Sequence, residues 1–271
     1  MSRSRTTDGA VSTELSRGAA VQLRCIHALL IRDMMMRYGR DNIGFLWVIL
    51  EPMILTVGVM TIWSLVKQPF EHGVQLISLV LTGYMPLTLW RHMLGAGVGL
   101  FERNAGLLYH RNISLFDAFF SRMLLEFIGT TTALIVVTAV LLSLGLIAIP
   151  HDPGIVLVAW LLKAFVSSAL ALNFAVLTQW SRTAEKFVQP FQYFMLPVSG
   201  TFFMVEWLPS VGQAIIWYNP TVHCYEMFRA GFFGADMKTH YSVWYPLAWS
   251  LGLTFVGVLG VEKIRDRVHY G

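Results

Sequence analysis

Residues 43–66 read IGFLWVILEPMILTVGVMTIWSLV, an uninterrupted apolar stretch in which Glu51 is the one charged side chain. At about 1.5 Å per residue this is roughly 36 Å of helix, enough to cross the hydrocarbon core of a bilayer with some tilt. Lys67 and Pro69 close it. The rest of the chain has the same character: 55% of its 271 residues are hydrophobic, 13% are charged, and the mean hydropathy is +0.58. A soluble domain of this size carries about a quarter charged residues. Lipid is therefore the solvent for most of the chain, and soluble-enzyme classes are excluded.

Working outward, further spans are expected at 76–100, 118–149, 154–179, 187–205 and 243–261. The span at 76–100 is interrupted by Pro86, Arg91 and His92, so part of it should face protein or water. Pro150-His151-Asp152-Pro153 ends the 118–149 span in a tight turn, and Pro190 and Pro197 should bend the fifth. From 206 to 241, Pro209, Gly212 and Asn219-Pro220 break the apolar run into pieces too short to span, which predicts a pair of re-entrant helices at the outer surface. The expected fold is all-α and integral to the membrane, with six transmembrane helices. It divides into a cytoplasmic segment at 1–42, a transmembrane domain at 43–264 and a tail at 265–271.

Lys and Arg near the span ends number fifteen on one side and three on the other, which puts both termini in the cytoplasm of a multi-pass inner-membrane protein. In such a protein the net charge of +4 reports orientation and implies no nucleic-acid partner. Cys25 and Cys224 fall on opposite sides, so neither a disulfide framework nor a thiolate metal site is expected. The polar, Arg-rich start has no short apolar core with a cleavage site, so no removable signal peptide is expected.

Before the first span, Leu23, Ile26, Leu30 and Met34 form an imperfect apolar stripe, with Arg24, Arg32 and Arg40 largely opposite and His27 and Arg37 intruding. A helix of this kind can lie in the cytoplasmic interface. Arg32, Arg37 and Arg40 then stand where guanidinium groups engage lipid phosphates bidentately, although topology alone also explains each of them.

The run from Leu30 to Pro52, LIRDMMMRYGRDNIGFLWVILEP, resembles the opening signature of type-2 ABC exporter permeases, most closely the capsular-polysaccharide (KpsM-type) branch. Asn219, Pro220, His223, Glu226, Arg229, Gly231, Phe233 and Gly234 match that branch's outer-face pattern. The resemblance implies a homodimer of six-helix subunits, each with a cytoplasmic ABC ATPase, that moves a lipid-linked capsular polysaccharide outward. It leaves open O-antigen, teichoic-acid and small-drug permeases, and also a periplasmic or outer-membrane export partner.

The chain has no Gly-Lys dipeptide and hence no phosphate-cradling loop, so it is read as a transport subunit and not an enzyme. ATP and Mg are expected on the partner ATPase, with no cofactor or metal on this chain. The stretch 101–117 is the expected coupling loop, with Glu102, Arg103, Asn104, Leu107 and Leu108 seated in an ATPase cleft. Glu51, at intramembrane depth beside Pro52, fits either a structural or a pathway role.

Sugar rings stack their C–H faces on flat side chains, so Tyr84, Trp90, Trp207, Trp217, Tyr218 and Tyr225, with Arg91, are candidates for the substrate path. Interfacial Trp and Tyr belts are the competing account. His223, Glu226 and Arg229 recur at i, i+3 and i+6, which predicts a salt-bridged brace at a periplasmic gate. The glycines of 95–99 predict a close helix contact. Two other classes are disfavoured. A membrane-embedded enzyme lacks its nucleophile and metal motifs, and an ion-coupled carrier would be expected to break its helices at mid-membrane.

Overall fold

The computed structural model describes residues 5–38, 43–71, 73–110 and 113–270. Two long helices open the fold, α1 (Arg5–Tyr38) and α2 (Ile43–Val66). A two-residue antiparallel ladder, Phe70–Glu71 with Val74–Gln75, leads into α3 (Leu76–Gly97), α4 (Leu100–His110), α5 (Leu115–Ser143) and α6 (Pro153–Trp180). Next come α7 (Arg182–Met195), two single 3-10 turns, α8 (Ser210–Ile216), α9 (Pro220–Phe233) and α10 (Trp244–Tyr270). Among the described residues, four stretches are by length and composition long and apolar enough to cross a membrane: Ile49–Val66, Leu115–Ser143, Pro153–Trp180 and Trp244–Arg265.

Local chemistry sets several boundaries. Ser114 and Asp117 form a capping box, which starts α5 three residues before the expected 118. The same helix stops at Ser143, ahead of Gly145 (φ 67), and does not run to 149. Asp152 caps α6 by accepting from the Ile155 N–H, with Pro153 in its first turn. The third helix ends at Gly97, short of the expected 100. Gly97 is required there because a Cβ would sit 2.6 Å from the Ala171 carbonyl oxygen of α6. That contact realises the close approach expected of the 95–99 glycines, whereas Gly95 meets nothing.

The fifth expected span differs most. Helix α7 begins at Arg182 and ends at Met195, and the chain then turns irregularly through Leu196–Val205 where a continuous helix to 205 was expected. Pro197 lacks the N–H that would continue the ladder.

Helices α3, α6 and α10 run in one direction. Trp90 lies by Lys163, Gly97 meets Ala171, and Leu172 and Val176 meet Gly257 and Gly260 in turn. Helix α2 runs the other way, because its Glu51 lies by His92 of α3 and its Trp63 by Tyr84. The core centres on α3 and α6, where Leu81, Met85, Leu89, Leu94, Ala159, Val166 and Ala171 are completely or almost completely buried. By contrast α2 leaves Ile54, Leu55, Val57, Ile62, Leu65 and Val66 exposed. So continuous an apolar surface calls for lipid or another protein surface.

Helix α1 packs on α5 and α2, and Gln22 donates to Asp117 at 3.0 Å. The buried residue of α1 is Leu29, whereas Leu23 of the expected stripe is 67% exposed.

Candidate functional site

The predicted path aromatics fall into three groups. Tyr84 of α3 meets Trp63 of α2 and Phe202 of the irregular segment, with Trp63 and Phe202 stacked at a centroid distance of 5.9 Å. Trp63 and Phe202 were not singled out from sequence, because one sits near a helix end and the other in a loop. Trp90, Tyr218 and Tyr225 instead line a separate cavity of about 410 Å3 with Phe191, Trp249 and Lys163. Lys163 is buried and stands over the Tyr225 ring at 4.4 Å. The Trp217 ring lies edge-on to His223 at 4.4 Å, and Trp207 closes a 3-10 turn at Val205–Trp207. The six aromatics therefore do not line one canal within a single chain.

Below Tyr84 on α3, about two helical turns on, Arg91 and His92 face a cleft shared with Glu51, Pro52, Leu55 and Gln192. His92 lies 3.9 Å from Glu51 and 3.6 Å from Glu126, whose other oxygen accepts from Arg122 at 2.8 Å. A polar line Glu51–His92–Glu126–Arg122 thus joins α2, α3 and α5. Glu51 is 44% exposed in this cleft, as a group of this polarity needs where lipid would otherwise surround it.

The coupling residues are tied to the rest of the fold. Arg32 of α1 donates to Asn104 of α4 at 2.6 Å, and buried Asn104 donates to the Leu100 carbonyl. Glu102 pairs with Arg182, the first residue of α7, at 2.8 Å. Arg103 donates to the Ala96 carbonyl. Of the predicted headgroup arginines, Arg32 turns inward to Asn104 and Asp33. Arg40 and the side chains of Arg37, Leu107 and Leu108 lie outside the described residues.

The residues of the predicted gate act differently from the expectation. His223, Glu226 and Arg229 form no ion pair with one another; each binds backbone from a neighbouring segment. Arg229, fully buried, donates to the carbonyls of Gly200, Thr201 and Phe203. Glu226 accepts from the Val205 N–H on one oxygen and from the His240 N–H on the other, at 3.1 and 3.0 Å. His223 accepts from the Ser242 N–H at Nδ1 and faces the Trp217 carbonyl at Nε2, which fixes the neutral Nε2–H tautomer. Helical spacing suggested mutual pairing, but segments with no periodic structure offer unpaired amides and carbonyls, and those are the stronger claim on a buried polar side chain.

Burial raises the Glu226 carboxyl above the ordinary carboxylate range, opposed by the two N–H donors and the nearby Arg229. Burial likewise holds His223 below the usual imidazole value. Gly83 of α3 completes the arrangement, because a Cβ there would come within 2.4 Å of the Thr201 carbonyl oxygen.

A helical bundle with wide apolar surfaces and several helices long and apolar enough to cross a bilayer is an integral membrane protein. Comparison agrees, since residues 24–233 match the ABC-2 type transporter family, and the chain belongs to it. Within that family it is 39% identical to the capsule polysaccharide export inner-membrane protein CtrC of Neisseria meningitidis serogroup B, over 92% of this chain and 94% of that one. It is 36% identical to the capsule polysaccharide export inner-membrane protein BexB of Haemophilus influenzae, over 94% and 97%. Against the polysialic acid transport protein KpsM of Escherichia coli it is 24% identical, over 92% and 96%. It is a transport subunit and not an enzyme.

Proposed function

We propose that this chain is the inner-membrane permease of an ABC exporter, carrying a lipid-linked capsular polysaccharide across the membrane on ATP and Mg bound by a separate ATPase. The observation that supports transport most directly is α4. This short amphipathic helix is tied to α1 through Arg32–Asn104 and to α7 through Glu102–Arg182, so a push on it moves both. The substrate class follows the relatives named for capsule polysaccharide export.

In this reading α2, α3, α5, α6 and α10, with α7 continued by the irregular segment to 205, make the six crossings of the domain at 43–264, and both termini are cytoplasmic. Helix α1 lies against the cytoplasmic interface, and α8 and α9 form the re-entrant pair at the periplasmic side. Two copies of the chain assemble with two ATPase subunits, bringing the exposed face of α2 and the Trp63–Tyr84–Phe202 cluster to the glycan path. Arg37 and Arg40 serve lipid headgroups while Arg32 turns inward to Asn104 and Asp33, and Leu107 and Leu108 seat in the ATPase.

The test is complementation of a capsule-export deletion by this chain with its ATPase, together with co-purification of that ATPase. Leu107→Asp with Leu108→Asp should abolish ATPase association while the chain still inserts. Unchanged association would refute the docking role, and failure to export any capsule glycan would refute the function.

A further inference from the structure

A cavity of about 520 Å3 opens where four helices meet, with one arginine from each on its wall: Arg32 of α1, Arg91 of α3, Arg103 of α4 and Arg122 of α5. Among the described residues of the lining, Asp33 and Glu126 are the carboxylates that stand beside these four arginines. Both carboxylates are already engaged, Asp33 by Arg32 and Glu126 by Arg122 and His92. No carboxylate among the described residues pairs with Arg91, whose recorded neighbour is the Tyr193 ring at 5.8 Å. A partly enclosed wall on which four guanidinium groups converge, Arg91 among them with no carboxylate beside it, calls for an anion.

We infer that this cavity binds a phosphate or diphosphate group. Guanidinium groups converge here from four separate elements, and a tetrahedral phosphate offers oxygens in enough directions to meet several of them. A planar carboxylate presents two oxygens in one plane and satisfies fewer. The volume exceeds that of a bare phosphate and leaves room for an attached glycerol or sugar. Two sources share this chemistry, a lipid headgroup and a soluble phosphate.

The proposal deepens the export reading, on which it rests only for the identity of the natural ligand: the phosphate joining lipid to glycan would be held here, inside the protein and not along the outer face of α1. Because Arg32 also binds Asn104 and Arg103 belongs to α4, an occupant bears directly on the helix read as the ATPase contact.

The experiment uses the full chain in phosphatidylcholine nanodiscs. Pyrophosphate is titrated by calorimetry, and in a second arm, with discs doped with phosphatidic acid, native mass spectrometry measures retained lipid. Wild type should bind in at least one arm. Arg91→Gln should weaken that binding at least about tenfold, as loss of one charge-assisted donor group predicts, and Arg91→Lys should restore part of it. Arg91 is the variant of choice because it braces no carboxylate, whereas Arg122→Gln would also release Glu126.

Pyrophosphate binding without doped lipid supports a soluble source, and retention of phosphatidic acid alone supports a headgroup. Binding in neither arm, equal binding by Arg91→Gln, or displacement by acetate as effective as by phosphate would overturn the site. No glycan enters these measurements, so they can fail while capsule export in cells stands, and export can fail while they succeed.

Discussion

Replacing Arg229 by Met tests whether α9 holds the irregular segment after α7. The guanidinium is fully buried and donates to three carbonyls, those of Gly200, Thr201 and Phe203. Methionine fills most of the volume and returns none of these bonds. Each buried acceptor left unsatisfied costs about 1–3 kcal/mol. Against that, the variant is spared the desolvation of a buried cation whose Nε has no partner. The net loss should fall near 3–5 kcal/mol, the range found when one side of a buried charged arrangement is removed. With about 2–4 °C per kcal/mol for a chain of this size, the melting temperature should drop by roughly 6–20 °C.

The assay is thermal unfolding of the purified chain in nanodiscs, run alongside Arg229→Lys. Lysine keeps the charge but cannot reach three carbonyls in a planar fork, so it should recover less than half of the loss. A Met variant that melts within about one degree of wild type would refute the brace.

Three further outcomes follow from the same region and its neighbours. Gly83→Ala should destabilise the chain by about 1–3 kcal/mol in the same melting assay, because the added carbon meets a backbone oxygen and not a side chain that can swing away. Burial holds His223 below its ordinary value of 6.5 and its Nδ1 must accept a proton-bearing amide, so its stabilising contribution is complete above that pH. The contribution should decline as pH falls through 6.5 toward the lowered value in the fold. Glu226, raised by burial, acts in the opposite sense, so the measurement is the difference in pH slope between wild type and His223→Gln. Finally, Trp63→Ala should lower capsule export severalfold while leaving ATPase association intact. Equal export would remove the Trp63–Tyr84–Phe202 cluster from the path.

The apolar helices could be read from sequence because burial in lipid imposes a continuous pattern, and α2, α5, α6 and α10 stand close to where hydropathy puts them. The Asp117 capping box was also visible in principle, as a Ser-x-x-Asp spacing just before an apolar run. The segment after Met195 was not readable. Its shape depends on Arg229 and Glu226, which lie some twenty to thirty positions later in the chain and bind main-chain atoms that every residue possesses, and on Tyr225, whose hydroxyl accepts from the Thr201 side chain. No local pattern records such a contact. Spacing at i, i+3 and i+6 identified the right three residues and the wrong partners. The four-arginine cavity is invisible for a related reason, since its members come from four helices, and Arg32, Arg91 and Arg103 have three separate roles expected from sequence and Arg122 none.

The bonds made by α9 also bear on how this protein can change over evolutionary time. The stretch from Gly200 to Val205 is held through its carbonyls and amides by Arg229 and Glu226, and with Thr201, Met204 and Val205 buried, the freedom to vary falls on the half-buried Phe202 and Phe203. The rim can therefore vary its chemistry at those two positions, and with it the glycan that the proposed path tolerates, while its contour is inherited from Glu226 and Arg229 on α9. Specificity and architecture are written in different parts of the chain, so one can drift without dismantling the other.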